Sequence, residues 1–110
     1  MNPVIYGVYT AKFQFIENET VKVRPVIVVS KPRSKHNVVL VVPVSSKDIQ
    51  EDVDISLADW KSEGLLKPSV ARVHRLSSIL QSDLTSQLGT LSSKDENNLI
   101  KALKEVLIIN

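Results

Sequence analysis

Val38-Val39-Leu40-Val41-Val42-Pro43-Val44 decides the fold, together with its partner Arg24-Pro25-Val26-Ile27-Val28-Val29-Ser30. Both runs are β-branched and apolar at successive positions. Side chains of an extended chain alternate between faces, so strands of this kind bury both faces. That predicts a sheet covered on both sides or curled into a small barrel. Between the two runs, Lys31-Pro32-Arg33-Ser34-Lys35-His36-Asn37 is a basic loop broken by proline.

Reading outward, residues 4–15 mix β-branched and aromatic residues and predict a first strand, followed by a polar turn or hairpin loop over 16–23. Residues 53–57 alternate Val53, Ile55 and Leu57 with Asp54 and Ser56, the pattern of a half-buried strand. Ala58 to Glu63 predict one or two helical turns stopped by Gly64. Residues 68–76 and 84–91 predict two more strands. At the end, Ser92 or Ser93 can cap a helix, with Asp95 or Glu96 three residues on. Leu99, Leu103, Val106 and Leu107 then share one helical face, with Lys101 and Lys104 on the other. The sum is an α+β domain of five or six short strands and a packed C-terminal helix.

The chain has 110 residues, enough for one domain, residues 1–110, and a single modest core. Only five aromatic side chains are present, so that core is Val, Leu and Ile. A net charge of +2 permits a nucleic-acid partner without demanding one. With no cysteine, disulfides, a thiol nucleophile and cysteine zinc sites are excluded. Two distant histidines with no paired-acid spacing predict no metal site, and no cofactor motif is present. No apolar run approaches the ~20 residues of a membrane span, and the start lacks a signal-peptide pattern, so the cytoplasm is the expected compartment.

Ser69-Val70-Ala71-Arg72-Val73-His74-Arg75 is the chemical clue. On an extended strand Arg72 and His74 share a face, ~6.6 Å apart, and a phosphate fits between them. Arg75 would then point the other way, toward RNA backbone or an interface. Arg24 can hold a phosphate in a bidentate fork. Ser45 and Ser46 can donate hydroxyls at the end of the third strand, or simply bond their own turn. Lys31 and Arg33 offer further phosphate contacts. Trp60 is expected to pack rather than stack on a base.

Three blocks carry a resemblance over nearly the whole chain: Val23-Arg24-Pro25-Val26-Ile27-Val28-Val29-Ser30, Val41-Val42-Pro43-Val44-Ser45-Ser46, and Gly64-Leu65-Leu66-Lys67-Pro68-Ser69-Val70-Ala71-Arg72 with Leu88-Gly89-Thr90-Leu91-Ser92. In their order and spacing the chain resembles the MazF/PemK (Kid-like) toxins of bacterial toxin–antitoxin pairs. The resemblance implies an SH3-like barrel with a C-terminal helix, usually a homodimer, that cuts single-stranded RNA, often mRNA, without metal and is silenced by a cognate antitoxin. Arg72 matches a catalytic arginine of that family, His74 stands where members carry a carboxylate, and Ser45 takes the better-matched hydroxyl position. Glu19 stands five residues before Arg24, where many members have a glutamate. The family's early Gly-Asp-Ile/Val is Tyr6-Gly7-Val8 here, and Lys12 replaces a later acid. The expected catalytic set is therefore Arg24, Ser45, Arg72 and His74, with Glu19, Lys31, Arg33, Ser46 and Arg75 as RNA contacts. The rival expectation is a non-catalytic module of the same fold, such as a CcdB-like gyrase poison or a degenerate toxin that keeps only its partner.

Overall fold

The structure, a computed structural model, describes residues 2–13 and 20–108. Seven antiparallel strands are followed by one helix: β1 (Gly7–Phe13), β2 (Lys22–Val28), β3 (Val38–Ser45), β4 (Ile55–Ser56), β5 (Val70–Ala71), β6 (Ser77–Leu80), β7 (Leu84–Thr90) and α1 (Ser93–Val106). The pairing order is β4-β5-β3-β2-β1-β7, with β6 paired to β3 off that path. β3 is thus the hub, bonded to β2, β5 and β6. The α+β class and the C-terminal helix are as expected. The barrel is not closed, because β4 and β7 end the ladder without pairing to each other.

The doubly apolar strands have a plain explanation. Val8, Ile27, Val42 and Val44 face one cluster with Leu57, Val73, Leu91 and Leu99. Val26, Val28, Val39 and Val41 face a second cluster with Tyr9, Ala11 and Leu84. Alternation therefore serves two small cores rather than a core and solvent. The helix closes the first core with Leu99 and Ala102, and Trp60 packs against the same cluster. Leu107 lies beyond the last helical turn and is exposed, contrary to the expected four-residue apolar face.

The strand expected over 68–76 is instead two residues of β5 followed by a 3₁₀ turn over Val73–Arg75, and β6 then begins at Ser77. Val73 is fully buried in the first core, which draws the chain inward at the point where a strand would have continued. Residues 58–64 form hydrogen-bonded turns that end at Gly64, whose φ of 91° an L side chain rarely adopts. The strand β6, Ser77-Ser78-Ile79-Leu80, was not foreseen.

The start of α1 differs from a capping box in one respect. Ser92 Oγ accepts the Asp95 amide at 3.2 Å, as expected. The reciprocal bond, however, comes from far along the chain: Glu63 Oε2 accepts the Ser92 amide at 2.7 Å. Asp95 uses its own carboxylate to accept the amides of Ala58 (2.9 Å) and Asp59 (3.0 Å). Two buried carboxyls, Glu63 (1% exposed) and Asp95 (0%), thereby join the 58–64 turn to the helix.

Burial, with the neighbouring Asp95 adding to it, pushes Glu63 up from its ordinary 4.5 to about 7. A carboxyl with a raised folded-state pKa contributes stability below its unfolded value and loses it as pH rises through the folded one. Stability should therefore fall between pH 4.5 and 7, by on the order of 2–3 kcal/mol. Thermal melts from pH 5 to 8 should show a declining melting temperature in the wild type and a nearly flat profile in Glu63→Gln, which keeps the acceptor for Ser92.

Candidate functional site: a cationic cavity at the strand ends

Antiparallel register decides what meets at the end of the sheet. Val26 pairs with Pro43 at the end of the β2–β3 ladder, and Arg24 and Ser45 each stand two residues beyond that last pair. Ser45 also pairs with Val70 of β5, and the Arg72 amide donates to Pro43 O at 2.8 Å. Three strand ends thus deliver Arg24, Ser45 and Arg72 to one place. They border a cavity of about 670 Å³. Its cations are Arg24, Lys47, Lys67, Arg72 and Arg75, its hydroxyls Thr10, Ser45, Ser46 and Ser69, and its apolar wall Pro25, Val44, Leu65, Leu66 and Leu88. Gln50 and Gly64 complete the lining. Among the described residues, no carboxylate or imidazole lines it.

Arg72 and His74 do not form the expected pair. A 3₁₀ turn has three residues per turn, so residues three apart share a side. Arg72 caps this turn, and the Arg75 amide donates to Arg72 O at 3.0 Å. Arg75 consequently returns to the cavity beside Arg72, while His74 is exposed and does not line it. The placement read from an extended strand is corrected on both counts: Arg75 is on Arg72's side and His74 is not.

Arg72 is only 3% exposed. Its Nη1 meets Asp54 Oδ2 at 2.6 Å, and its Nη2 donates to Lys47 O at 3.2 Å. Burial alone would raise the Asp54 carboxyl. The Gln50 and Glu51 amides and the Arg72 guanidinium outweigh it and hold the group below its ordinary 3.8. Asp54, read from sequence as the outward residue of an alternating strand, is thus an inward one.

Ser45 Oγ accepts the Lys47 amide at 3.1 Å, shaping the turn after β3 while still bordering the cavity; Ser46 is exposed beside it. Lys31 and Arg33 are exposed on the β2–β3 loop, at the far end of the hairpin, and do not border the cavity. Six residue steps of extended chain run from Arg24 to Ser30, about 20 Å. Glu19 lies outside the described residues. Lys47, Gln50 and Lys67 were missed as lining residues. Lys67 stands inside a stretch that carries the family resemblance, Leu65-Leu66-Lys67-Pro68, but a lone lysine in a loop carries no signal that it faces inward. Among the described residues, no three His, Asp or Glu side chains converge as metal ligands would.

Among the described lining residues, five cations stand with hydroxyls at their side and no acid, an arrangement whose chemistry suits an anion. The sequence profile of the PemK-like, MazF-like toxins of type II toxin–antitoxin systems matches residues 6–107, and this chain belongs to that family. The fold agrees. The Mycobacterium tuberculosis toxin MazF-mt6 superposes with a TM-score of 0.76 at 22% identity, over 94% of this chain and 98% of that one. MazF in a Deinococcus radiodurans MazE–MazF structure gives 0.77 at 16% identity, over 100% and 99%. An endoribonuclease solved with its cognate antitoxin from a mycobacterial species gives 0.75 at 16%, over 98% and 97%. No curated protein sequence matches the chain.

Proposed function

We propose that this chain is the toxin of a toxin–antitoxin pair, an endoribonuclease that cuts single-stranded RNA, mRNA included. The observation that carries the reading is the cavity in which Arg24, Arg72 and Arg75 converge with Ser45 and Ser46 on a toxin-family fold. Arg24 and Arg75 hold the scissile phosphate, and Lys47 and Lys67 steer the flanking backbone. The ribose 2′-hydroxyl attacks phosphorus, its oxygen forms the new bond, and the bond to the 5′-oxygen breaks. Guanidinium groups meet the charge that builds on the phosphoryl oxygens, so the reaction needs no metal. Ser45 and Ser46 donate hydrogen bonds to the same oxygens. The proton-transfer role expected of His74 passes in this reading to Glu19, expected from sequence as an RNA contact five residues before Arg24; it takes the 2′-hydroxyl proton and returns one to the departing 5′-oxygen. His74 is given no part in the chemistry. The products are a 2′,3′-cyclic phosphate and a 5′-hydroxyl, and DNA, lacking the attacking group, is spared.

In the same reading the toxin works in the cytoplasm as a homodimer and is silenced by a cognate antitoxin. The Deinococcus MazE–MazF structure and the mycobacterial endoribonuclease with its antitoxin support the pairing. The test is incubation of purified protein with single-stranded RNA in excess chelator. Fragments ending in cyclic phosphate are expected; strict dependence on added divalent metal would refute the metal-free route.

A second reading, a binding module that cuts nothing, is favoured by one observation: the described cavity wall holds no carboxylate or imidazole for proton transfer. It predicts intact RNA at any enzyme concentration together with unimpaired binding to its protein partner. Cleavage by the wild type separates the two, and its loss in Glu19→Gln would then assign the proton transfer.

A further inference from the structure

Behind the cavity, Asp54 gathers three donors on one oxygen. Its Oδ2 accepts Arg72 Nη1 at 2.6 Å, the Gln50 amide at 3.0 Å and the Glu51 amide at 3.1 Å. Arg72 then reaches back to Lys47 O at 3.2 Å. One two-residue knot therefore grips the segment after β3 at Lys47, Gln50 and Glu51. That segment supplies Ser46, Lys47 and Gln50 to the cavity wall. The knot is dry: the Asp54 and Arg72 side chains are 1% and 4% exposed.

Stability alone is a poor reason for such a pair. A buried ion pair replaced by well-packed apolar residues is often no less stable, whereas loss of one partner strands a charge. An apolar pair cannot aim a guanidinium. Arg72 has five N–H donors in a rigid fork, and its bonds to Asp54 and Lys47 use two. With those two fixed, the direction of the others is fixed as well.

We infer that Asp54 is a positioning residue of this cavity: it sets the edge that Arg72 presents to a bound phosphodiester and the course of the loop bearing Ser46, Lys47 and Gln50. The inference rests on the nuclease reading and goes beyond it, by naming a group that acts through Arg72 without touching RNA. Asp54 stays ionised at every pH in which the enzyme would work, since its carboxyl is held below its ordinary value.

The experiment compares wild type, Asp54→Asn and Asp54→Glu on a mixed-sequence single-stranded RNA under single-turnover conditions. Binding of the same sequence in 2′-O-methyl form and thermal melting run in parallel. Asn keeps an acceptor for the Gln50 and Glu51 amides but carries no charge to hold Arg72. Cleavage by Asp54→Asn should slow about 10- to 100-fold while affinity for the 2′-O-methyl RNA stays within about threefold, and Asp54→Glu should recover part of the rate. Cleavage at the wild-type rate overturns the inference, as does loss of cleavage and binding in equal proportion, the mark of a structural role alone. Should Asp54→Asn fail to fold, Asp54→Glu alone takes its place, because it keeps the charge and moves it by one methylene. Slower cleavage with unchanged affinity in that folded variant supports the inference, and a wild-type rate overturns it. A wild type that leaves RNA intact overturns the nuclease reading itself, and the positioning role with it.

Discussion

Arg75→Ala reduces RNA cleavage about 100-fold or more, whereas His74→Ala stays within about threefold of wild type. The contrast between adjacent residues follows from the 3₁₀ turn over Val73–Arg75, which returns Arg75 to the cavity and leaves His74 in solvent. Removal of one preorganised group that faces developing charge costs roughly 10²–10³ in rate. Arg24→Ala should match Arg75→Ala, because both border the same hollow, one from β2 and the other from the 3₁₀ turn. Cleavage rates of the three purified variants on one RNA, with melting temperatures to confirm folding, decide the point. The reverse order, with His74 essential and Arg75 dispensable, would mean that the functional chain runs extended through 72–75 and that the described turn is not the working one.

The second large effect concerns stability. Gly64→Ala should destabilise the fold by about 3 kcal/mol, lowering the melting temperature by roughly 10 °C. Gly64 has φ 91°, and a Cβ there would run into the Leu88 carbonyl. Gly89 repeats the contact from the other side, since a Cβ on it would lie 2.5 Å from Glu63 O. Two backbones meet here with no room for a methyl group on either. Neither contact is the far end of a flexible side chain, so nothing nearby can give way cheaply. Because Gly64 through Lys67 form one wall of the cavity, Gly64→Ala should also weaken RNA binding in whatever fraction remains folded. A melting temperature within a degree or two of wild type would show that the two segments separate easily and that the wall is not rigid.

How much of this was legible in the sequence depends on what kind of interaction carried each feature. β2 and β3 could be read because their apolar runs are local and long. The helix could be read because its cap and its 3.6-residue period lie within a few residues of one another. The segment 68–76 could not. Its β-branched residues favour a strand, and only the burial of Val73 in a core assembled from distant elements turns it into a 3₁₀ bend. Asp54 shows the same limit. Alternation put it on an outward face, and its true partner is eighteen residues away in the chain. Arg24, Ser45, Ser46 and Arg72 were named as site residues and do border one cavity, since strand register brings them together; Lys31 and Arg33 were named on charge alone and stand at the other end of the hairpin. Glu63 was read only as part of a short turn, because the amide it accepts belongs to a helix not yet formed at that point in the chain.

The whole chain carries a net +2, yet five of its fourteen basic residues border a single hollow. Those five, of which Arg72 is offset by Asp54, gather positive charge at one end of the sheet, while the Lys31-Arg33-Lys35 loop carries a smaller basic patch at the other end of the β2–β3 hairpin. A polyanion drifting past would be drawn toward that mouth, where the charge is densest. Added salt would then blunt the approach of substrate long before it disturbed the fold.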